Sequence, residues 1–168
     1  MAAEGENTIT NDSKSPDIIL RKVLMPIDFS THSKNALEYA VTIARQFNAE
    51  LILLYVVEPT VYPHDFGFGH IGMTSLENEL WSKGMRELQR LIDTKVGGQA
   101  IARAIVRIGK PYHEIIEVAI QESIDLIVIA TRGHTEMEHI LFGSTAEKVV
   151  RRAPCPVLTW RGKEETLK

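Results

Sequence analysis

The sequence predicts an α/β fold: a single domain built on a five-stranded parallel open sheet with helices on both faces. Short continuous apolar runs such as Leu51-Ile52-Leu53-Leu54-Tyr55-Val56-Val57 and Leu126-Ile127-Val128-Ile129 are strand-length and lack polar alternation. Strands covered on both faces look like this. Between the runs lie stretches with apolar residues at helical spacing, so the order reads β-α-β-α-β-α-β-α-β. At 168 residues, with 44% hydrophobic and 24% charged, the chain is long enough for one sizeable core and ordinary in composition.

Residues Met1 to Asp17 are polar with little to bury and are expected to form a flexible tail. The domain is placed at 18–162, with a second tail at 163–168. Lys22 to Ile27 is the first strand, with Pro26 near its end, where a missing N–H costs little. Ser30 or Thr31 can cap the first helix, whose apolar face is Ala36, Leu37, Ala40, Val41, Ala44 and Phe47. Asn48-Ala49 ends it, and Glu50 to Val57 is the second strand. Glu58 to Gly72 is loop-like. Met73 to about Lys95 is a longer helix, weakened at Gly84 by about 1 kcal/mol relative to alanine and ended by Gly97-Gly98. Ala100 to Ile108 is the third strand. Pro111 suits the first turn of the third helix, whose apolar face is Ile115, Ile116, Ala119 and Ile120. Asp125 to Ala130 is the fourth strand. The fourth helix runs from Ser144 to near Arg151-Arg152, cations that suit a helix C-terminus. Pro156 to Trp160 is the fifth strand.

Composition excludes several classes. The net charge is -3, and no basic stripe with interleaved aromatics is present, so nucleic acid is not expected as a partner. Cys155 is the only cysteine, which rules out a disulfide framework or thiolate metal cluster. No apolar run approaches the roughly 18 residues of a membrane span, and the polar start does not resemble a signal peptide. A cytoplasmic protein without membrane contact is expected.

The segment that carries chemistry is Ala130-Thr131-Arg132-Gly133, followed after nine residues by Gly143-Ser144-Thr145. It joins the end of a buried strand to the start of a helix, where α/β proteins hold phosphates. Ser144-x-x-Glu147 has the form of a capping box. Taken alone, the segment reads equally as a capped helix after a turn. In a parallel sheet the ligand rim is at the strand C-termini, which groups Pro26-Ile27-Asp28, Val56-Val57-Glu58 and Ala130 to Gly133.

With these residues in place, the chain resembles a universal stress protein from about Ile19 to Trp160. The resemblance is carried by Met25-Pro26-Ile27-Asp28-Phe29-Ser30, Tyr55-Val56-Val57, Gly109-Lys110-Pro111, Asp125 to Ile129 and Gly143 to Leu158. It implies a Rossmann-like sheet of the adenine nucleotide alpha hydrolase-like type. It also implies a site for ATP or another adenine nucleotide, with a Mg²⁺ companion left open. ATP-binding members carry G-x2-G-x9-G-[S/T]. Gly133, Gly143 and Ser144 fit it, whereas Ala130 replaces the first glycine. By resemblance, Asp28 would accept from the adenine or ribose, Val56 would line the adenine pocket, and Pro26 and Ile27 would form its floor. Gly133, Gly143, Ser144 and Thr145 would hold ribose and phosphate oxygens, with Ala130 and Arg132 in the same cofactor-binding set. Arg132-Gly133-His134 inverts the usual family order. Glu136 and Glu138 add negative charge near the phosphates, which favours fewer phosphates or weaker binding. The resemblance further implies a homodimer through the last strand and a role in the stress response.

Three functions therefore stand side by side: a nucleotide-binding regulator or sensor, a dimeric interaction module without nucleotide, and a slow ATP hydrolase. No catalytic or metal-ligating residue is assigned. Gly67-Phe68-Gly69-His70-Ile71-Gly72 matches a dinucleotide fingerprint but lies in a loop beyond the second strand rather than in a strand–helix turn. His32, His64, His70, His113, His134 and His139 show no metal spacing. Cys155, between Pro154 and Pro156, reads as a buried structural thiol.

Overall fold

A computed structural model describes residues 18–59, 75–133 and 142–162. The expected tails at 1–17 and 163–168, the loop with its glycine fingerprint, and His134, Glu136, Glu138 and His139 lie outside the described residues.

Five strands and four helices alternate: β1 (Lys22–Pro26), α1 (Thr31–Phe47), β2 (Glu50–Val57), α2 (Ser75–Leu91), β3 (Ala102–Ile108), α3 (Pro111–Gln121), β4 (Leu126–Ala130), α4 (Ser144–Arg152) and β5 (Val157–Trp160). All pairings are parallel, and the strand order is β3-β2-β1-β4-β5. The chain builds outward from β1 through β2 to β3, then returns to the other side of β1 for β4 and β5. That reversal puts α1 and α2 on one face and α3 and α4 on the other. It also opens a crevice between the C-terminal ends of β1 and β4.

Two cores result. On one face Val23, Met25, Leu51 and Leu53 pack with Ala36, Leu37, Ala40 and Ala44 of α1 and with Leu88 of α2. On the other, Leu24, Ile52, Leu54, Ile127 and Ile129 pack with Ile115, Val118 and Ala119 of α3 and with Ala146 and Val149 of α4. Alternate residues of one strand thus feed opposite cores, which explains why the runs are apolar throughout.

Ser30 is the cap of α1, its hydroxyl accepting from Ser33 N, and Asn48 closes the helix in the left-handed conformation. Pro111 opens α3. The long helix reaches the end its periodicity implies but changes type on the way. Regular α-helix stops at Leu91 and one π-helical turn, Ile92–Val96, carries the chain to Gly97 at φ 53°. β3 starts at Ala102 rather than Ala100. β5 starts at Val157 rather than Pro156, because proline has no N–H to give the ladder. Gly84 has a packing reason: a Cβ there would overlap the Tyr55 ring. The helix gives up propensity to let β2 and α2 approach.

The two sheet edges differ. Ile101 O and Gly109 N bond to β2, so the even-numbered residues of β3 turn their backbone groups outward. Of these, Val106 O accepts from Trp81 Nε1 of α2 at 3.3 Å. At the other edge, Leu158 of β5 is an exposed large apolar residue.

Candidate functional site

The ends of β1, β2 and β4 and the starts of α3 and α4 enclose a cavity of about 260 Å³. Its walls include all ten residues singled out from the sequence: Pro26, Ile27, Asp28, Val56, Ala130, Arg132, Gly133, Gly143, Ser144 and Thr145. Leu54, Tyr55, Pro111, Ile115, Ile129 and Thr131 also line it. Thr131 belongs to the rim segment read from the sequence; the other five come from β2, α3 and β4 and converge only once the strand order is known. Alternation in β2 and the Gly109-Lys110-Pro111 segment were the available signals for Tyr55 and Pro111.

The β1 end is built by a local network. Asp28 Oδ1 accepts from Ser30 N at 3.0 Å and from Ser30 Oγ at 2.6 Å. The same Ser30 Oγ accepts from Ser33 N at 3.2 Å. Phe29 between them has φ 65°, a left-handed backbone that a bulky residue adopts only under constraint. Its ring packs on Tyr55 at 4.8 Å between centroids. Burial, followed by the Asp28 charge, pushes the Tyr55 hydroxyl above its ordinary pKa.

The β4 end explains its glycines by space. A Cβ on Gly133 would stand 2.5 Å from Asp28 Oδ2, so only glycine lets the carboxylate lie against this loop. Gly143 N donates to Thr131 O at 2.7 Å, and a Cβ there would meet that carbonyl at 3.3 Å. Thr131 N in turn donates to Trp160 O at 2.9 Å. The loop and the start of α4 are therefore stitched to the sheet end by backbone bonds.

The capping box is corrected here. Gly143, with extended backbone, is the cap residue of α4 and no side chain caps the helix. Glu147 N makes its helical bond to Gly143 O, which places Ser144 inside the first turn, beyond the cap position. The Glu147 carboxylate turns instead to Arg151, one turn on, with Nε at 3.1 Å. The N–H groups of Ser144, Thr145 and Ala146 precede the first helical bond and line the cavity mouth, an arrangement that favours anions.

Among the described residues three buried side-chain polar atoms have no hydrogen-bond partner, and two of them, Thr131 Oγ1 and Arg132 Nε, belong to this wall. Asp28 and Arg132 are the two charged side chains of the described lining. The cavity thus combines a carboxylate from the β1 end, donors from β4 and α4, and an apolar floor. It can hold a molecule that carries both hydrogen-bond donors and an anion. Among the described residues no three His, Cys, Asp or Glu side chains are grouped to hold a metal ion. Cys155 is half-buried rather than buried, and burial, then Asp125, pushes its thiol pKa up, as suits an unreactive thiol.

The universal stress protein family model matches residues 20–161. The chain belongs to that family. A universal stress protein of Methanocaldococcus jannaschii is 34% identical over 142 residues, covering 83% of this chain and 81% of the relative. The solved universal stress protein UspA from Lactobacillus plantarum superposes with a TM-score of 0.69 at 27% identity, covering 86% of this chain and all of that one. A universal stress protein in complex with cAMP shares the fold at TM-score 0.66 and 21% identity, over 87% of this chain and 100% of its own. Another from Archaeoglobus fulgidus, in complex with dAMP, does so at 0.58 and 18%, over 85% and 98%. The sheet and helices of this chain are thus those of universal stress proteins, and no described helix is long and apolar enough to cross a membrane.

Proposed function

We propose that this universal stress protein binds an adenine nucleotide in the cavity at the strand C-termini and acts as a cytoplasmic, nucleotide-responsive regulator or sensor in the stress response. The observation that carries the proposal is the mixed lining of the cavity: an aspartate together with unpartnered donors beside a helix N-terminus. Family members solved with cAMP and dAMP support the ligand class. Asp28 would take donors of the adenosine, Val56, Pro26 and Ile27 would pack on it, and the Gly143 to Thr145 turn would take phosphate. ATP, ADP and AMP are all candidates. A Mg²⁺ ion would be held by phosphate oxygens and water, since the described residues offer no metal cluster.

Micromolar affinity requires about 8 kcal/mol, whereas a charge at an exposed helix N-terminus contributes roughly 0.3–1 kcal/mol. Burial of the base and several backbone donors must therefore act together. The same reading includes a homodimer through β5, the sheet edge that exposes Leu158, whereas the β3 edge is partly occupied by Trp81.

The test is to denature the purified protein, identify released nucleotide by mass, and titrate the stripped protein with ATP, ADP and AMP by calorimetry. Gly143→Val should abolish binding while the apo melting temperature stays within a few degrees. Unchanged affinity in that variant would remove the phosphate assignment.

A further inference from the structure

Resting on the adenine-nucleotide reading, we infer that the side chains of Arg132 and Thr131 read the ligand's phosphate, and that Arg132 makes the cavity select a nucleoside monophosphate over the uncharged nucleoside. The glycines of this wall are explained by space and backbone bonding, so they say nothing about which anion is chosen. The two side chains between Ala130 and Gly133 do. Thr131 is only 3% exposed, yet its Oγ1 has no partner. A buried hydroxyl left unpaired is unfavourable and uncommon in native folds. Valine has nearly the same shape without that penalty, so packing does not account for threonine here.

Arg132 Nε is likewise buried and unpaired. A guanidinium presents planar donors matched to phosphate or carboxylate oxygens, and it stays charged at any physiological pH. The Asp28 carboxylate has other neighbours: Oδ1 is taken by Ser30, and Oδ2 lies against Gly133. Thr131 and Arg132 both line the cavity together with the start of α4, where the N–H groups of Ser144 to Ala146 add to the same field. A phosphate monoester offers an anion to the guanidinium, the hydroxyl and the helix terminus together; a nucleoside offers them only neutral hydroxyls.

The experiment compares adenosine and AMP by calorimetry on the full chain, in the wild type, Arg132→Gln and Thr131→Val. In the wild type AMP should bind at least about tenfold tighter than adenosine, the scale of one charge-assisted hydrogen bond. Arg132→Gln should lower that ratio several-fold, the remainder coming from Thr131 and the N–H groups of α4. Thr131→Val should weaken AMP several-fold without lowering the apo melting temperature, an outcome that a merely structural hydroxyl would not produce. Adenosine binding with AMP no tighter, or an equal ratio in wild type and Arg132→Gln, overturns the role of Arg132 and leaves the adenine reading intact. Binding of neither probe overturns the adenine reading and this inference with it.

Discussion

The two rims of the sheet solve opposite problems. At the N-terminal rim opposite charges answer one another. Arg103 bridges Glu50 at 2.8 Å and Glu122 at 2.6 Å, Lys22 Nζ donates to Glu122 O at 2.8 Å, and Asp125 Oδ2 accepts from Arg21 N and Lys22 N. At the C-terminal rim Thr131 and Arg132 keep unpaired donors, Phe29 holds a strained backbone, and a cavity lies between them. The same β-strands end in both. One end closes the fold, and the other keeps unsatisfied chemistry in place for a ligand.

The sharpest way to break the contrast is at Gly133. Gly133→Ala would drive a methyl into Asp28, whose other oxygen is held by Ser30. Nucleotide affinity should fall at least about tenfold, that is, by about 1.4 kcal/mol or more, with the apo melting temperature changed by a few degrees at most. Equal affinity by calorimetry would show that Asp28 and the loop move apart freely.

Arg103→Ala should do the reverse. Desolvation acts against the Arg103 charge, but hydrogen bonds to Glu122 and Glu50 outweigh it and its pKa is raised. Its side chain is 37% exposed, so screening limits the loss to about 1 kcal/mol. Thermal unfolding should register that loss while nucleotide affinity stays at the wild-type value. A change in affinity would mean that the rims are coupled.

The smallest effect lies at alkaline pH. Tyr55 is raised above 10.0 in the folded chain by burial and then by Asp28, and Cys155 above 9.0 by burial and then by Asp125. Between the unfolded and folded pKa values the folded state binds more protons, so stability falls as pH rises. Melting temperature should therefore be insensitive to these groups at neutral pH and decline above about 9 to 10. Tyr55→Phe should soften the upper part of that decline. An identical alkaline profile would place the sensitivity elsewhere.

Local signals carried far in this chain. Glu50–Val57 is bounded as its apolar run implies, Ser30 caps α1, and Pro111 opens α3. Each depends on the chemistry of a few adjacent residues. The reading failed where a distant residue decides the matter. Gly84 looked like a weak point in a helix until Tyr55 was seen against it, and Ser144 looked like a cap until Gly143 was found tied to Thr131.

By itself the sequence determined the alternation of strands and helices, the family, and the ten residues that gather at one rim. It could do so because apolar period, caps and glycine spacing are properties of neighbours along the chain. Tertiary structure alone decided that Tyr55, Pro111 and Ile115 join them, that Gly133 makes room for a carboxylate, and that Thr131 and Arg132 line the cavity with donors unpaired. The strand order β3-β2-β1-β4-β5 creates those meetings. Whether a polar atom is satisfied depends on everything packed around it, which a one-dimensional pattern does not contain.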